Sequence, residues 1–438
     1  MLLTGLSLAT MRPGDAPGPG AIRVAGERIA AVGRLAPEPG EERVDCGGLW
    51  ALPGFVQGHV HLCQVLFRGL AEGLPLLDWL ERRVWPLEAA HDAASLRASA
   101  RLGLVELGLG GTTTFQSMET AAHTEVVLEE VLASGLSAVC GASMMDRGGP
   151  RVPPALVRPA RACLAEADAL HRAFDGRDGR LHTALNPRFV LSCSDELLAG
   201  VAERRAGGRR VHTHAAEHPD EVDGVLAATG RRPVAHLEAL DLLGPTTSLA
   251  HCVHLDEVER ERLAGSGAAV LHCPSTNLKL GSGIAPVADF LARGIPVALG
   301  ADGAPANNRL CALTELRQAA LLSDLVAGPA VVPARTWVER LTLGGATALG
   351  LDRDRGSLEP GKRADIVLLD LDPAWTGFVD DPFVRLVYAA ERGAVHSVLA
   401  SGRFVVRDRR PAGPLADLAG AGEEARRCLP ALLARASL

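Results

Sequence analysis

The chain has 438 residues, 47% hydrophobic and 22% charged, with a formal net charge of −7 and a pI near 6.1. That balance belongs to a soluble globular protein and excludes a basic surface large enough for nucleic acid or an anionic membrane. Nine cysteines, odd in number and without a Cys-x-x-Cys pair, exclude a disulfide framework and point to a reduced, cytoplasmic chain. The first ten residues carry no basic group ahead of their short apolar run, so no signal peptide is expected, and no stretch approaches a membrane span.

In chain order, residues 1–53 read as short strands and turns. The segment Ala21–Gly33 alternates apolar and polar residues around Gly26-Glu27, the pattern of a half-buried hairpin. The same texture returns at Ala364–Asp370, Val395–Ala400 and Arg403–Val406. Both chain ends are therefore expected to form one small β-sandwich domain, 1–53 plus 346–412, interrupted by the intervening chain.

Between them, eight apolar strand candidates begin at Phe55, Thr112, Ser137, Leu181, Arg210, Thr247, Ala268 and Pro296. Ser95–Gly108, Glu125–Ser134 and Asp256–Ala264 carry helical spacing between strands. Eight βα units predict an α/β architecture with a (β/α)₈ TIM-like barrel over 54–345, whose chemistry lies at the C-terminal strand ends. A doubly wound sheet would need a glycine-rich turn after an early strand. Gly108-Leu109-Gly110-Gly111 comes before its strand. Residues 413–438, rich in alanine and leucine, read as a helical tail.

The first barrel strand ends in His59-Val60-His61, two imidazoles on one face of a strand. With fourteen histidines in the chain, one such pair arises easily by chance. Strand five, however, carries His212 and His214, with Glu217 just beyond it. Strand six ends in His251, and strand eight runs into Asp302. Each has a bland alternative: His251 as a core polar group, Asp302 as a turn or cap residue. His214-Ala-Ala-Glu217-His218 also fits a helical metalloprotease pattern, but its preceding residues read as strand. Jointly, His59, His61, His214 and Asp302 make a His₃Asp set suited to Zn²⁺ or Fe²⁺.

These residues resemble the amidohydrolase superfamily, in its aminohydrolase branch of adenosine-type, 5′-deoxyadenosine and guanine deaminases and triazine hydrolases. The resemblance runs through Pro53-Gly54-Phe55, His59-x-His61, Leu74–Leu80, Trp85-Pro86-Leu87-Glu88 and His212–Glu217. It continues through Ala250–Leu255, His272–Leu280, Gly300–Pro305 and Gly356–Asp365. It implies a metal-dependent hydrolytic deaminase with one divalent ion. Two-metal relatives are bridged by a carboxylated lysine on strand four, whereas the only lysines here are Lys279 and Lys362. Within it, Asp302 ligates and accepts a proton from the attacking water, His251 positions that water, and Glu217 protonates the ring nitrogen and the departing amine. The chain lacks the Pro-Cys-x-x-Cys of the other zinc deaminases.

For the substrate, Gln64 resembles a purine-holding glutamine of guanine deaminases and Arg188 their base-binding arginine. Glu88, following Trp85, resembles a glutamate that binds ribose hydroxyls. The resemblance thus implies a small N-heterocyclic partner, most nearly an adenine nucleoside of the 5′-deoxyadenosine, methylthioadenosine or adenosylhomocysteine type. Guanine is the alternative, and triazine or pterin hydrolysis and a non-catalytic binding barrel stand further off. Homo-oligomers are common among such relatives.

Overall fold

The structure, a computed structural model, describes residues 1–437. Eight parallel strands form the barrel: Phe55–His61, Thr112–Glu119, Ser137–Met144, Leu181–Pro187, Arg210–Ala215, Thr247–His251, Ala269–His272 and Val297–Leu299. Each pairs with the next in sequence order. Strand eight breaks after Leu299 and resumes as Asp302–Gly303, which pairs back onto strand one with Asp302 opposite Val60 and Gly303 opposite His61. This closing step matters for chemistry because it sets Asp302 beside the first two histidines.

Two glycines make the closure sterically feasible. A Cβ on Gly300 would lie 2.6 Å from the His59 carbonyl oxygen, and one on Gly303 would lie 1.9 Å from Gln64 Oε1. The barrel floor is sealed by the helix Leu343–Ala348 and the residues after it. Ala346, Leu349 and Leu351 pack on Val56, Val139 and Ala184, while Ala348 packs on Ala250, Leu271 and Ala298. The expected boundary at 345 therefore falls inside a helix, and the barrel's own packing extends to Leu351.

The second sheet joins both chain ends. Trp50–Pro53 pairs antiparallel with Ile366–Leu369, so the N-terminal strands and the late strands Val395–Ala400 and Arg403–Arg407 share one hydrogen-bonded ladder. Leu3, Leu6, Ile22, Ile29, Ile366, Leu368 and Leu399 form its separate core. The hairpin expected around Gly26-Glu27 is present as Gly18–Ala25 paired with Arg28–Gly33. Among the described residues, no helix is long and apolar enough to cross a membrane.

The C-terminal segment forms the helix Ala421–Ala436, with Leu438 outside the described residues. Leu432 and Ala425 pack against Phe67 and Leu87, in the segments that follow strand one and carry Gln64 and Glu88. Arg101 bonds Glu424 at 3.0 Å, and Arg435 donates to the Ala90 carbonyl at 2.7 Å. Leu432 is fully buried. Leu432→Ala is therefore expected to cost about 2–5 kcal/mol in denaturant unfolding, the range for a buried leucine truncated to a cavity.

Candidate metal centre and active site

Strand alternation sends His59 and His61 to the same side, where they meet His214 from strand five and Asp302 from strand eight. One donor atom from each of the four lies within 4.8 Å of the others. Asp302 Oδ1 is 3.1 Å from His59 Nε2 and 3.2 Å from His61 Nε2. Asp302 adopts a left-handed backbone with φ of 60°, as do Ala216, His251 and Cys252 at the ends of strands five and six. Such conformations cost about 1–3 kcal/mol each, and here they gather around one pocket.

The imidazoles are prepared as ligands. His61 Nδ1–H donates to the Met118 carbonyl at 2.7 Å, and His214 Nδ1–H donates to the Arg188 carbonyl at 2.8 Å. Each bond fixes the tautomer and leaves the Nε2 lone pair facing the centre. His59 Nδ1 lies 2.8 Å from His212 Nε2, while its buried Nε2 has no hydrogen-bond partner. Burial brings the His59 pKa down to about 4 and holds His214 well below its ordinary value. Both are neutral at pH 7, the state that ligates. Burial opposes charge on Asp302, but the His59 and His61 imidazoles outweigh it and hold the carboxyl well below the usual range. Three imidazoles, one carboxylate and an orphaned buried nitrogen fit a divalent ion. Strand four offers Asn186 and no lysine, so this donor set fits one ion.

Around this centre sit two further groups. His251 Nδ1–H donates to Asn277 Oδ1 at 2.9 Å, which turns Nε2 inward, 3.5 Å from Glu217 Oε2 and 4.0 Å from Asp302 Oδ2. Glu217 is buried, and burial, then the Asp302 and Glu221 carboxyls, hold its pKa well above the ordinary value. Its carboxyl therefore holds a proton more tightly than an ordinary glutamate does.

The pocket over these groups is walled by Leu76, Trp79, Leu80 and Phe189, with Gln64 and Arg188 on its polar side. Glu88 stands behind them. Arg188 Nη1 and Nη2 donate to its two oxygens at 2.7 and 3.3 Å, and Gln64 Nε2 donates to Oε1 at 2.8 Å. Gln64, Glu88 and Arg188 are thus one buried cluster.

Trp85, expected at the substrate, is instead packed into the apolar cap with Trp79, Leu80 and Phe189 and does not line the pocket. Trp79 takes the wall position. The reason is local: Pro86 has no N–H to continue the helix, and Leu80–Val84 widens to a π turn in which Trp85 N–H bonds Leu80 O. The extra residue rotates Trp85 away. Sequence reading had His212 on the face of His214 but gave it no role, and it missed the parts of Asn277 and Glu221, whose partners come from another strand or from backbone. Only Glu221 left a local trace, three residues after His218 at a helix start.

Similarity agrees with this geometry. Residues 50–405 match the model of the amidohydrolase family. A 5-methylthioadenosine/S-adenosylhomocysteine deaminase of Moorella thermoacetica is 37% identical over 398 residues, covering 89% of this chain and 90% of the relative. A 5′-deoxyadenosine deaminase of Methanothermobacter thermautotrophicus is 37% identical over 395 residues, with 89% and 90% covered. The crystal structure of a zinc-bound adenosine deaminase from Xanthomonas campestris superposes with a TM-score of 0.88 at 30% identity, covering 97% and 98% of the two chains. With residues 50–405 matched, through the barrel and the late strands of the second sheet, the chain belongs to the amidohydrolase family and is a hydrolase acting on carbon–nitrogen bonds.

Proposed function

We propose that the chain is a divalent-metal deaminase of an adenine nucleoside of the 5′-deoxyadenosine, methylthioadenosine or adenosylhomocysteine type, releasing ammonia. The observation that carries this reading is the meeting of a buried Glu217, its pKa raised, with His251 and Asp302 on one side of a single pocket. The names of the relatives support the nucleoside class, and the zinc of the Xanthomonas structure supports Zn²⁺ over Fe²⁺.

His59, His61, His214 and Asp302 would hold the ion, which when bound supplies Lewis acidity that brings the pKa of water toward neutrality. Asp302 takes a proton from the attacking water. His251 Nε2, held by Asn277, fixes where that water stands. Glu217 donates its proton to the ring nitrogen beside the attacked carbon, so that negative charge does not build there. The proton taken up by Asp302 then leaves with the amine as ammonia, and the hydroxyl proton of the adduct returns to Glu217 as the C–N bond breaks and the carbonyl forms.

A second reading, an oxopurine such as guanine, rests on Arg188, and Glu88 weighs against it. A carboxylate has about four lone-pair sites, and three here are filled by Arg188 and Gln64. One site on Oε2 remains for a sugar hydroxyl, while Arg188 faces the pocket as a donor to a ring carbonyl. Ammonia release from 5′-deoxyadenosine and guanine at equal concentration separates the two. The nucleoside is expected to react faster, and Glu88→Gln is expected to raise its KM by about tenfold, the loss of one hydrogen bond to a charged group. Faster release from guanine, with Glu88→Gln acting on kcat/KM only through Arg188, would overturn the nucleoside assignment in favour of the oxopurine.

A further inference from the structure

Glu221 is buried to 1% exposure in the wall of the same pocket and neither gives nor takes a proton in the chemistry described above. It is the third residue of the helix Pro219–Thr229, whose N-cap is His218. A glutamate at this position ordinarily reaches back to the N-cap N–H on the protein surface. This one reaches further, into the pocket. Its Oε1 accepts the Ala216 N–H at 3.1 Å, and its Oε2 accepts the Glu217 N–H at 2.7 Å.

The backbone it holds is strained and shared. Ala216 has φ of 53°, and its carbonyl accepts both the Val253 and His254 N–H groups at 2.9 Å. Those two residues lie directly beyond His251 and Cys252, which also have positive φ. A single peptide therefore ties the turn that carries Glu217 to the turn that carries His251, and Glu221 clamps it from below.

We propose that Glu221 is the positioning residue of the acid–base pair, holding the Ala216–Glu217 backbone so that the Glu217 carboxyl and His251 Nε2 face the same reacting water and ring nitrogen. The proposal rests on Glu217 being the acid. The Glu221 side chain makes its hydrogen bonds to the turn and none to His251, Asp302 or the three imidazoles. Two carboxylate oxygens suit two converging N–H groups. An amide in its place keeps the volume but sets an NH₂ against one of those donors, and a displacement of about 1 Å at a catalytic group can cost about 10²-fold in rate.

The test compares full-length, metal-loaded wild type, Glu221→Gln and Glu221→Asp by steady-state ammonia release and by amide hydrogen exchange at residues 216 and 217. Glu221→Gln is expected to lower kcat by about 10–100-fold with KM changed less than about threefold, and to speed exchange at both amides by at least about tenfold. Glu221→Asp keeps both acceptor oxygens on a shorter arm and is expected to fall between the two in both readouts. It supplies the comparison if the amide variant does not fold. Unchanged exchange at 216 and 217, a wild-type kcat, or a loss confined to KM would each overturn the proposal. A wild type that is silent towards every purine counts against the deaminase reading alone, because the exchange measurement judges the clamp without turnover.

Discussion

Glu217→Gln is expected to keep its divalent ion and to lose turnover by about 10²–10⁴-fold, the usual share of a positioned general acid. The amide has the same shape, so His251, Asp302 and the pocket walls need not move. It cannot give up a proton, and the ring nitrogen then has no acid within reach. The pH dependence follows the same group. Burial, with Asp302 and Glu221 nearby, raises the pKa of Glu217, so its proton is kept beyond the ordinary carboxylate range and is lost as pH rises through that raised value. A bound cation offsets the contribution of Asp302 but leaves burial in force. The basic limb of kcat in wild type should thus fall with increasing pH, and Glu217→Gln should flatten it. Steady-state rates from pH 5 to 10, with metal content measured on each sample, check both points. A metal-replete Glu217→Gln enzyme within tenfold of wild type would remove Glu217 as the acid.

The elements that were legible in the sequence share a property: their pattern is short-range. Barrel strands are runs of buried apolar residues between turns, and six of the eight starts coincide with the structure. The two late ones are displaced by one residue, and the eighth has a cause. Pro296 has no N–H to enter the ladder, which begins at Val297. His59 and His61 announced themselves by strand periodicity, and Asp302 by its place at a strand end. What was not legible depends on long-range closure or on a break in helical phase. The bond between His59 and His212 spans 153 residues, and Asn277 reaches His251 from a different βα unit. Trp79 and Trp85 exchange roles because one π turn lies between them, and a pattern read at 3.6 residues per turn has no term for it. The pairing of Glu88 with Gln64 and Arg188 was not legible because those partners are 24 and 100 residues away.

Asp302→Asn is the substitution expected to damage the enzyme most, because one carboxylate is asked to do two things. It is the only anionic donor in the set, and in the proposed mechanism it takes the proton from the attacking water. Asparagine is the informative replacement on backbone grounds. At φ of 60° most side chains are strained, whereas asparagine and aspartate tolerate the left-handed region. The strand closure opposite Val60 and His61 should therefore survive. The amide leaves His59 and His61 without the negative charge that now lies 3.1 and 3.2 Å from their Nε2 atoms. Metal affinity should fall by more than the roughly 10–100-fold that loss of an outer-shell partner costs, since this is a donor itself. His212→Asn, which removes only the bond to His59 Nδ1, gives that smaller loss as the internal comparison. Turnover of Asp302→Asn at saturating metal should still be down by about 10²–10⁴-fold, because restoring the ion does not restore the base. Chelator competition and metal analysis measure the first effect, and ammonia release at increasing Zn²⁺ measures the second. If Asp302→Asn held one equivalent of metal as tightly as wild type and recovered full turnover with it, neither role would belong to Asp302.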